Sequence, residues 1–182
     1  MDTNTVKPTP SVVHLTGGFF MINHISPEMA RNMWYEITDE QRAEFTAIYG
    51  SDANGKTGLE MEILQADHCA AFYNCTTLVG LMWAGWEDVG EFGRIRTLGC
   101  ITTKRMREKG FAFARHSDEM RDAFELYEPP EATELYVAIQ KSYRQSMEWC
   151  VRMCKFTKIC ETQINGEPFV LYRHVHGEGV KR

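Results

Sequence analysis

The sequence predicts one layered domain of the α/β (α+β) class, with helices packed on a mixed, mostly antiparallel sheet. Helical and strand-like segments are interleaved along the chain, and a hairpin signal closes its C-terminal part. The 182 residues, 43% of them hydrophobic, are enough for one packed core. We expect residues 1–10 to form a flexible N-terminal arm and residues 11–182 to form the single domain.

The N-terminal third predicts a strand followed by two helices. The apolar run "VVHLT" is a short strand. One helix begins after Ser26, a typical N-cap followed by proline, and the next begins after Thr38, which forms a capping box with Gln41. The polar, glycine-containing stretch "SDANGKTG" predicts a loop before a short helical piece, "LEMEILQAD".

The remaining two thirds predict mainly strands, with two helices between them. Three β-rich runs come in succession, "HCAAFYNC", "TLVGLMWAGW" and "FGRIRTLGCIT". Apolar residues from Phe113 to Tyr127 then recur with helical spacing, "TELYVAI" is a strand, and "SYRQSMEWCVRMC" is a helix. The Asn165-Gly166 dipeptide predicts the turn of a terminal hairpin.

Charge and cysteine usage argue against several classes of protein. The formal charge of −5 disfavours a general nucleic-acid binder, which needs a basic surface. No apolar run reaches the roughly 20 residues of a membrane helix, and no signal peptide is recognisable, so we expect a cytoplasmic protein without membrane contact. The six cysteines are expected to be reduced core residues, and the spacing of His and Cys predicts no metal site.

The stretch "RMREKGFAFARHSDEM", residues 105–120, places basic residues and a glycine in front of a predicted helix. Backbone N–H groups at a helix N-terminus favour anions. Gly110 would let the backbone approach a phosphate closely, Ala112 keeps the next site small, and Arg107 can add a charge-assisted contact. The alternative is an ordinary solvated turn in which Gly110 only satisfies the turn geometry.

Within this stretch, "REKGFA" matches the R/Q-x-x-G-x-G/A acyl-CoA signature, and the chain thereby resembles the GCN5-related N-acetyltransferases (GNATs). The motif lies between the fourth strand and the third helix, as in that family, and the similarity extends roughly from Val12 to Val175. The resemblance implies a GNAT-like fold and an N-acyltransferase that moves an acyl group, first of all acetyl, from acyl-CoA to an amine. It assigns the binding of acetyl-CoA to Arg107, Glu108, Lys109, Gly110, Phe111 and Ala112.

Three further segments resemble a group of GNAT-like proteins of tailed phages, which have roles inside the virion or in its assembly. The segments are "RTLGCITT", "FARHSDEM" and "SMEWCVRMCKF". Proteins of that group often carry a degraded phosphate loop, so this resemblance implies an alternative function. The alternative is a catalytically silent protein that acts in virion assembly or binds a virion or host protein, with the virion as a second location.

Two positions near the last predicted helix depart from the GNAT pattern. Lys155-Phe156 stands where the family has Gly-Phe, and Val151 occupies the place of a tyrosine that can protonate the leaving thiolate. Tyr143, at the start of the same helix, is the candidate for this general acid. The alternative is a half-buried tyrosine that only packs on the sheet.

Gly99 lies inside a predicted strand, where glycine weakens packing. It indicates either a β-bulge or a place where a ligand or another backbone comes close. The GNAT resemblance implies that this strand splays away from its neighbour and that the thioester lies in the gap. Backbone N–H groups near Cys100 and Ile101 would then face the thioester carbonyl as an oxyanion site.

The loop "WEDVGE" supplies candidates for the general base that deprotonates the amine. Glu91 is the first of them, ahead of Glu87 and Asp88, and solvated surface charge is the alternative for all three. His116 is a further candidate, with a surface or helix-packing role as its alternative. The acceptor stays open between a protein amine, a small-molecule amine and a nucleobase.

Overall fold

The computed structural model describes residues 10–105, 116–164 and 166–177, and it confirms the predicted fold class. Among these residues, eight strands form one mixed sheet in the order β1-β2-β3-β4-β5-β6-β8-β7. The strands are β1 (Val12–His14), β2 (Phe19–Ile22), β3 (His68–Asn74), β4 (Thr77–Asp88), β5 (Arg94–Thr102), β6 (Glu134–Gln140), β7 (Thr157–Ile164) and β8 (Glu167–Val175). The helices are α1 (Pro27–Glu36), α2 (Asp39–Tyr49), α3 (Asp52–Gln65), α4 (Ser117–Glu125) and α5 (Arg144–Glu148), and a π-helical turn, Trp149–Met153, extends α5.

Three expectations from the sequence concern the N-terminal arm, membrane helices and disulfides. Of the predicted arm, residues 1–10, only Pro10 is described, so the arm and the single-domain boundary stay predictions. Throughout the described ranges, no helix has the length and apolar character needed to cross a membrane. All six cysteines are described and none of them forms a disulfide.

The first two helices begin at the predicted caps. The Ser26 side chain accepts the Met29 N–H at 3.1 Å, which satisfies one of the free donors at the start of α1. The Thr38 hydroxyl accepts the Gln41 N–H at 3.2 Å, and the Gln41 side chain returns to the Thr38 N–H, so the capping box is formed. These contacts are local, and the sequence pattern therefore located both helix starts.

The stretch predicted as a loop after α2 is wrong, because it forms the first half of α3. Ser51 caps this helix by accepting the Asn54 N–H at 3.2 Å. Gly55 and Gly58 suggested a loop, but both are buried inside the helix. At Gly58 an added Cβ would stand 2.4 Å from the Tyr49 ring, so the glycine lets α2 and α3 approach closely.

A second difference from the prediction is β2, a strand that the sequence pattern did not indicate. It pairs antiparallel with β1 on one side and with β3 on the other. The first five strands thus follow one another as an antiparallel series, while β6, β8 and β7 form a second antiparallel group. The predicted terminal hairpin is present as β7 and β8, with Gly166 at a φ of 83° and Asn165 outside the described residues.

The two faces of the sheet bury separate cores. Helices α1 to α3 pack on one face, where they contact β4 and β5 side chains such as Leu81, Trp83 and Ile101. Helix α4 and the last helical segment cover the other face, which includes Met82 and Leu98. Because successive strand residues point to opposite faces, the central strands β3, β4 and β5 contribute to both cores.

The last helical segment ends through a residue with left-handed backbone conformation. Lys155 has a φ of 60°, which glycine adopts more readily than other residues. The Phe156 N–H turns back to the Cys150 carbonyl at 2.9 Å, and Lys155 Nζ donates to the Arg152 carbonyl at 2.8 Å. Lysine therefore stands in the glycine position of the Gly-Phe step and carries a conformational cost.

Replacing Lys155 with glycine should raise the free energy of unfolding by about 1 kcal/mol, since a Cβ in the left-handed region costs roughly that much. Urea unfolding followed by tryptophan fluorescence measures the change. Lys155→Ala is the matched control, because it loses the same Nζ contact but keeps the Cβ and should give no gain. Equal stability of the two variants would contradict the proposed strain.

Candidate active site

A gap between β5 and β6 is the central feature of the candidate site. The two strands run parallel, and in the described part of the chain their ladder contains one residue pair, Thr97↔Tyr136. Strand β5 continues to Thr102 in register with β4, and β6 continues to Gln140 in register with β8. This arrangement agrees with the prediction that this strand splays away from its neighbour near Gly99.

Gly99 is explained by an aromatic side chain. An added Cβ would stand 2.0, 2.2 and 2.4 Å from three atoms of the Trp83 indole, so the ring lies directly on the glycine. The β4–β5 ladder keeps its register from Gly80↔Thr102 to Asp88↔Arg94, and the bulge predicted at Gly99 is therefore wrong for this ladder. Among the described residues, the close neighbour of Gly99 is the Trp83 side chain, which neither alternative had named.

Cys100 and Ile101 follow Gly99 on the strand that borders the gap. Cys100 is half-buried and packs against the core under α4, whereas Ile101 is buried in the core under α1 to α3. Both residues are paired with β4, Cys100 opposite Met82 and Ile101 opposite Leu81. The structure thus brings them to the gap, while their oxyanion role stays a prediction.

The predicted acyl-CoA segment lies outside the described residues. It comprises Arg107, Glu108, Lys109, Gly110, Phe111 and Ala112. In the chain it connects β5, which ends at Thr102, to α4, which begins at Ser117. The predicted helix start at Phe113 also lies outside the described residues.

Tyr143 precedes α5 and is half-buried against the core under α4. Its backbone N–H donates to the Gln140 carbonyl at 2.8 Å, and its carbonyl accepts the Met147 N–H at 3.1 Å. These contacts agree with the packing interpretation, and its role as a general acid stays a prediction. Val151 is 46% exposed, so the place of the family's tyrosine holds a solvent-facing valine.

The candidate bases from the sequence are not gathered around the gap. Glu91 is exposed in a short 3₁₀ turn, Gly90–Phe92, between β4 and β5, and Glu87 and Asp88 are exposed at the end of β4. His116 stacks on Phe19 with ring centroids 4.2 Å apart. This stacking supports the packing interpretation of His116.

Sequence reasoning missed a polar group on the α1–α3 face, formed by Tyr49, Glu62 and Trp83. The Tyr49 hydroxyl donates to Glu62 Oε1 at 2.5 Å. The Trp83 indole also interacts with this carboxyl and lowers its pKa. The only sequence signals were the two glycines, Gly58 and Gly99, that accommodate the Tyr49 and Trp83 rings.

Burial raises the pKa of the Glu62 carboxyl, and the nearby charge of Glu87 raises it further. The hydrogen bonds from Tyr49 and Trp83 act in the opposite direction, because they stabilise the charged carboxylate. Burial also raises the pKa of Tyr49, as does its contact with Glu62, so the tyrosine stays a neutral donor. Perturbed carboxyl groups of this kind occur preferentially at functional sites.

A second unpredicted group is the buried ionic network around Arg96, the residue before Thr97. Arg96 Nε donates to Glu128 Oε2, and its NH1 donates to Asp67 at 2.8 Å. His68 Nδ1 lies 3.2 Å from the other Glu128 oxygen. The side chains of Arg96 and Glu128 are 0% and 2% exposed, so the network anchors β5 from within the core.

The thiols of the last helical segment are chemically quiet. Burial is the main cause that raises the pKa of both Cys150 and Cys154, which leaves them protonated and unreactive. The Arg121 guanidinium donates to the Cys154 carbonyl at 2.9 Å and so joins α4 to the end of this segment. Across the described ranges, no three His, Cys, Asp or Glu side chains are placed to hold a metal ion.

Comparisons with known proteins identify structures of similar fold. Neither a family model nor a curated protein matches the chain in sequence. In structure it is similar to an uncharacterized protein from Bacillus halodurans, with a TM-score of 0.65 and 10% identity over 91% of this chain and 90% of that one. It is also similar to a putative acetyltransferase from Salmonella typhimurium with its cofactor acetyl-CoA, with a TM-score of 0.58 and 10% identity over 90% and 97% of the two chains.

A ribosomal L7/L12 alpha-N-protein acetyltransferase in complex with coenzyme A gives a TM-score of 0.56 at 9% identity, over 91% of this chain and 98% of that one. The fold is that of the GNAT acetyltransferases. At such low identity the similarity establishes the arrangement of strands and helices, and the reaction has to be argued from this chain's own residues. None of the three structures is described as a virion protein, so the virion resemblance rests on its sequence segments alone.

Proposed function

We propose that this protein is an acyl-CoA-dependent N-acyltransferase, in the first place an acetyltransferase. The observation that carries the proposal is the gap between β5 and β6. Two structures of similar fold contain acetyl-CoA or coenzyme A. The segment Arg107–Ala112 follows β5 in the chain and carries the acyl-CoA signature. The thioester of a bound acyl-CoA would then lie at the gap, and its phosphates would lie at the segment that follows β5.

The reaction requires the amine nitrogen to attack the thioester carbonyl carbon, so that a C–N bond forms and the C–S bond breaks. Under this proposal, backbone N–H groups near Cys100 and Ile101 stabilise the oxyanion. Tyr143 is the proposed acid for the leaving thiolate, and Glu91 is the base proposed from the sequence. The protein mainly positions the reactants, which is itself a large part of such catalysis.

The proposal predicts that acetyl-CoA stabilises the protein. At about a hundred times its dissociation constant the ligand should add about 2.7 kcal/mol, which is readily visible as a shift in melting temperature. Gly110→Glu should abolish the shift, because it brings a side chain and a negative charge to the predicted phosphate site. Arg107→Ala should weaken it without removing it, since backbone donors remain.

Gln65→Glu is the matched control for this experiment, because it adds the same charge at an exposed position of α3. This variant should keep the full shift. If wild-type protein fails to respond to acetyl-CoA, coenzyme A and longer acyl-CoAs, the transferase proposal is wrong. The silent protein that binds a virion or host partner would then take its place.

A further inference from the structure

The proposed reaction needs a group that removes a proton from the acceptor, because an alkyl amine is an ammonium ion at neutral pH. The candidate bases from the sequence are exposed, Glu87 and Asp88 at the end of β4 and Glu91 in the turn that follows. Glu62 is different, since two neighbours hold it on the α1–α3 face of the sheet. We propose that Glu62, oriented by Tyr49 and Trp83, binds the acceptor's ammonium group and takes up its proton. This inference rests on the proposed N-acyltransferase function.

The contacts place a single side chain, that of Trp83, between Glu62 and the β5–β6 gap. Its carboxyl accepts the Tyr49 hydroxyl at 2.5 Å, and the Trp83 indole interacts with the same carboxyl. That indole lies on Gly99, two residues beyond the Thr97↔Tyr136 pair where β5 and β6 meet. An amine bound to Glu62 would therefore stand beside Trp83, at the part of β5 where the strands separate.

The surroundings of Glu62 suit proton uptake from an amine. Glu62 is half-buried, so bulk water screens its charge only in part. Glu87, which is close enough to raise its pKa, adds a second negative charge that attracts a cation. The raised pKa makes the carboxylate a stronger proton acceptor than an exposed glutamate.

The proton balance of the step is simple. The ammonium group gives one proton to a Glu62 oxygen and becomes a neutral amine. The nitrogen lone pair then forms the bond to the carbonyl carbon, and the sulfur leaves as a thiolate. Tyr143, the proposed acid, protonates that thiolate and is restored by the second amine proton, and Glu62, which is half-buried, passes the first proton to water.

Two nucleophiles with different charge separate this role from acyl-CoA binding. With acetyl-CoA as donor, the release of coenzyme A above the rate without enzyme is measured by chromatography at neutral pH for n-butylamine, which is protonated, and for hydroxylamine, which is largely neutral. Glu62→Gln should lower kcat/KM for n-butylamine by about 10²–10⁴-fold, the usual contribution of a general base. The rate with hydroxylamine should change little, because that nucleophile does not need the base.

Glu60→Gln, the same change two residues away on α3, is the matched control and should leave both rates unchanged. The acetyl-CoA melting shift should persist in both variants, which shows that they fold and bind the donor. No release with either nucleophile in the wild type would overturn the proposed function itself. Release with hydroxylamine but not n-butylamine in the wild type, or an equal loss of both rates in Glu62→Gln, would overturn the role of Glu62 alone.

Tyr49→Phe gives a second test that a purely structural role would not pass. The Tyr49 hydroxyl lowers the pKa of Glu62, so its removal should raise that pKa further. The base acts when deprotonated, and its activity is lost as pH falls through its pKa. The acid limb of the pH–rate profile for n-butylamine should therefore move to higher pH, whereas an unmoved limb would contradict the proposal.

Discussion

Gly99→Ala is expected to destabilise the protein by about 3 kcal/mol, the upper part of the usual range for overpacking a core. The new methyl group would lie 2.0 Å from a carbon of the Trp83 indole, and two more ring atoms lie within 2.4 Å. Trp83 is only 5% exposed and is enclosed by α1 to α3, so the ring cannot simply turn away. Urea unfolding monitored by far-UV circular dichroism measures the loss.

Gly85→Ala is the matched control, since Gly85 lies two residues from Trp83 on the same strand. Its added Cβ would meet no atom nearer than the Ala66 Cα, at 4.0 Å. This variant should be as stable as the wild type or slightly more stable, because alanine loses less conformational entropy than glycine. Trp83→Leu combined with Gly99→Ala should recover part of the loss, and equal costs at Gly85 and Gly99 would contradict the close packing.

Arg96→Met is expected to cost about 3–5 kcal/mol, because it leaves the buried Glu128 carboxylate without its main partner. Methionine roughly preserves the apolar stem, so the loss reports the uncompensated charge more than a cavity. The double variant Arg96→Met/Glu128→Gln should be more stable than the single one, since it removes the stranded charge as well. Thermal and urea unfolding of the three proteins measure these differences.

Lys158→Met is the control for Arg96→Met, because it breaks an ion pair at the surface. Lys158 and Glu161 are 52% and 49% exposed, and pairs of this kind contribute about 0–1 kcal/mol. If Arg96→Met lowers the free energy of unfolding no more than Lys158→Met does, the buried Glu128 carboxylate does not depend on Arg96 as expected.

The elements that the sequence predicted well are those specified by neighbouring residues. The capping box of Thr38 and Gln41 and the strands of the terminal hairpin depend on contacts within a few positions. Helix α3 was missed in its first half because Gly55 and Gly58 are poor helix formers when taken alone. Both glycines are explained by tertiary packing, because each lets a neighbouring helix approach. A local sequence pattern does not contain this contact.

The candidate site, like the fold, was predicted from the sequence only in part. The separation of β5 from its neighbour near Gly99 was expected from the family resemblance, and the strand pairing agrees. Tyr49, Glu62 and Trp83 were missed because three distant segments bring them together without any motif of fixed spacing. The roles of Glu91, Tyr143 and the segment Arg107–Ala112 stay predictions that only the binding and kinetic experiments can test.

The single β5–β6 pair divides the sheet into two hydrogen-bonded blocks, one within residues 12–102 and one within residues 134–175. The core under α4 nevertheless runs across this division, since Leu98 of one block and Leu135 of the other belong to the same apolar cluster. Apolar contacts have no strict direction, whereas ladder hydrogen bonds do. Side-chain packing under α4, more than ladder hydrogen bonds, therefore holds the two blocks together along this seam.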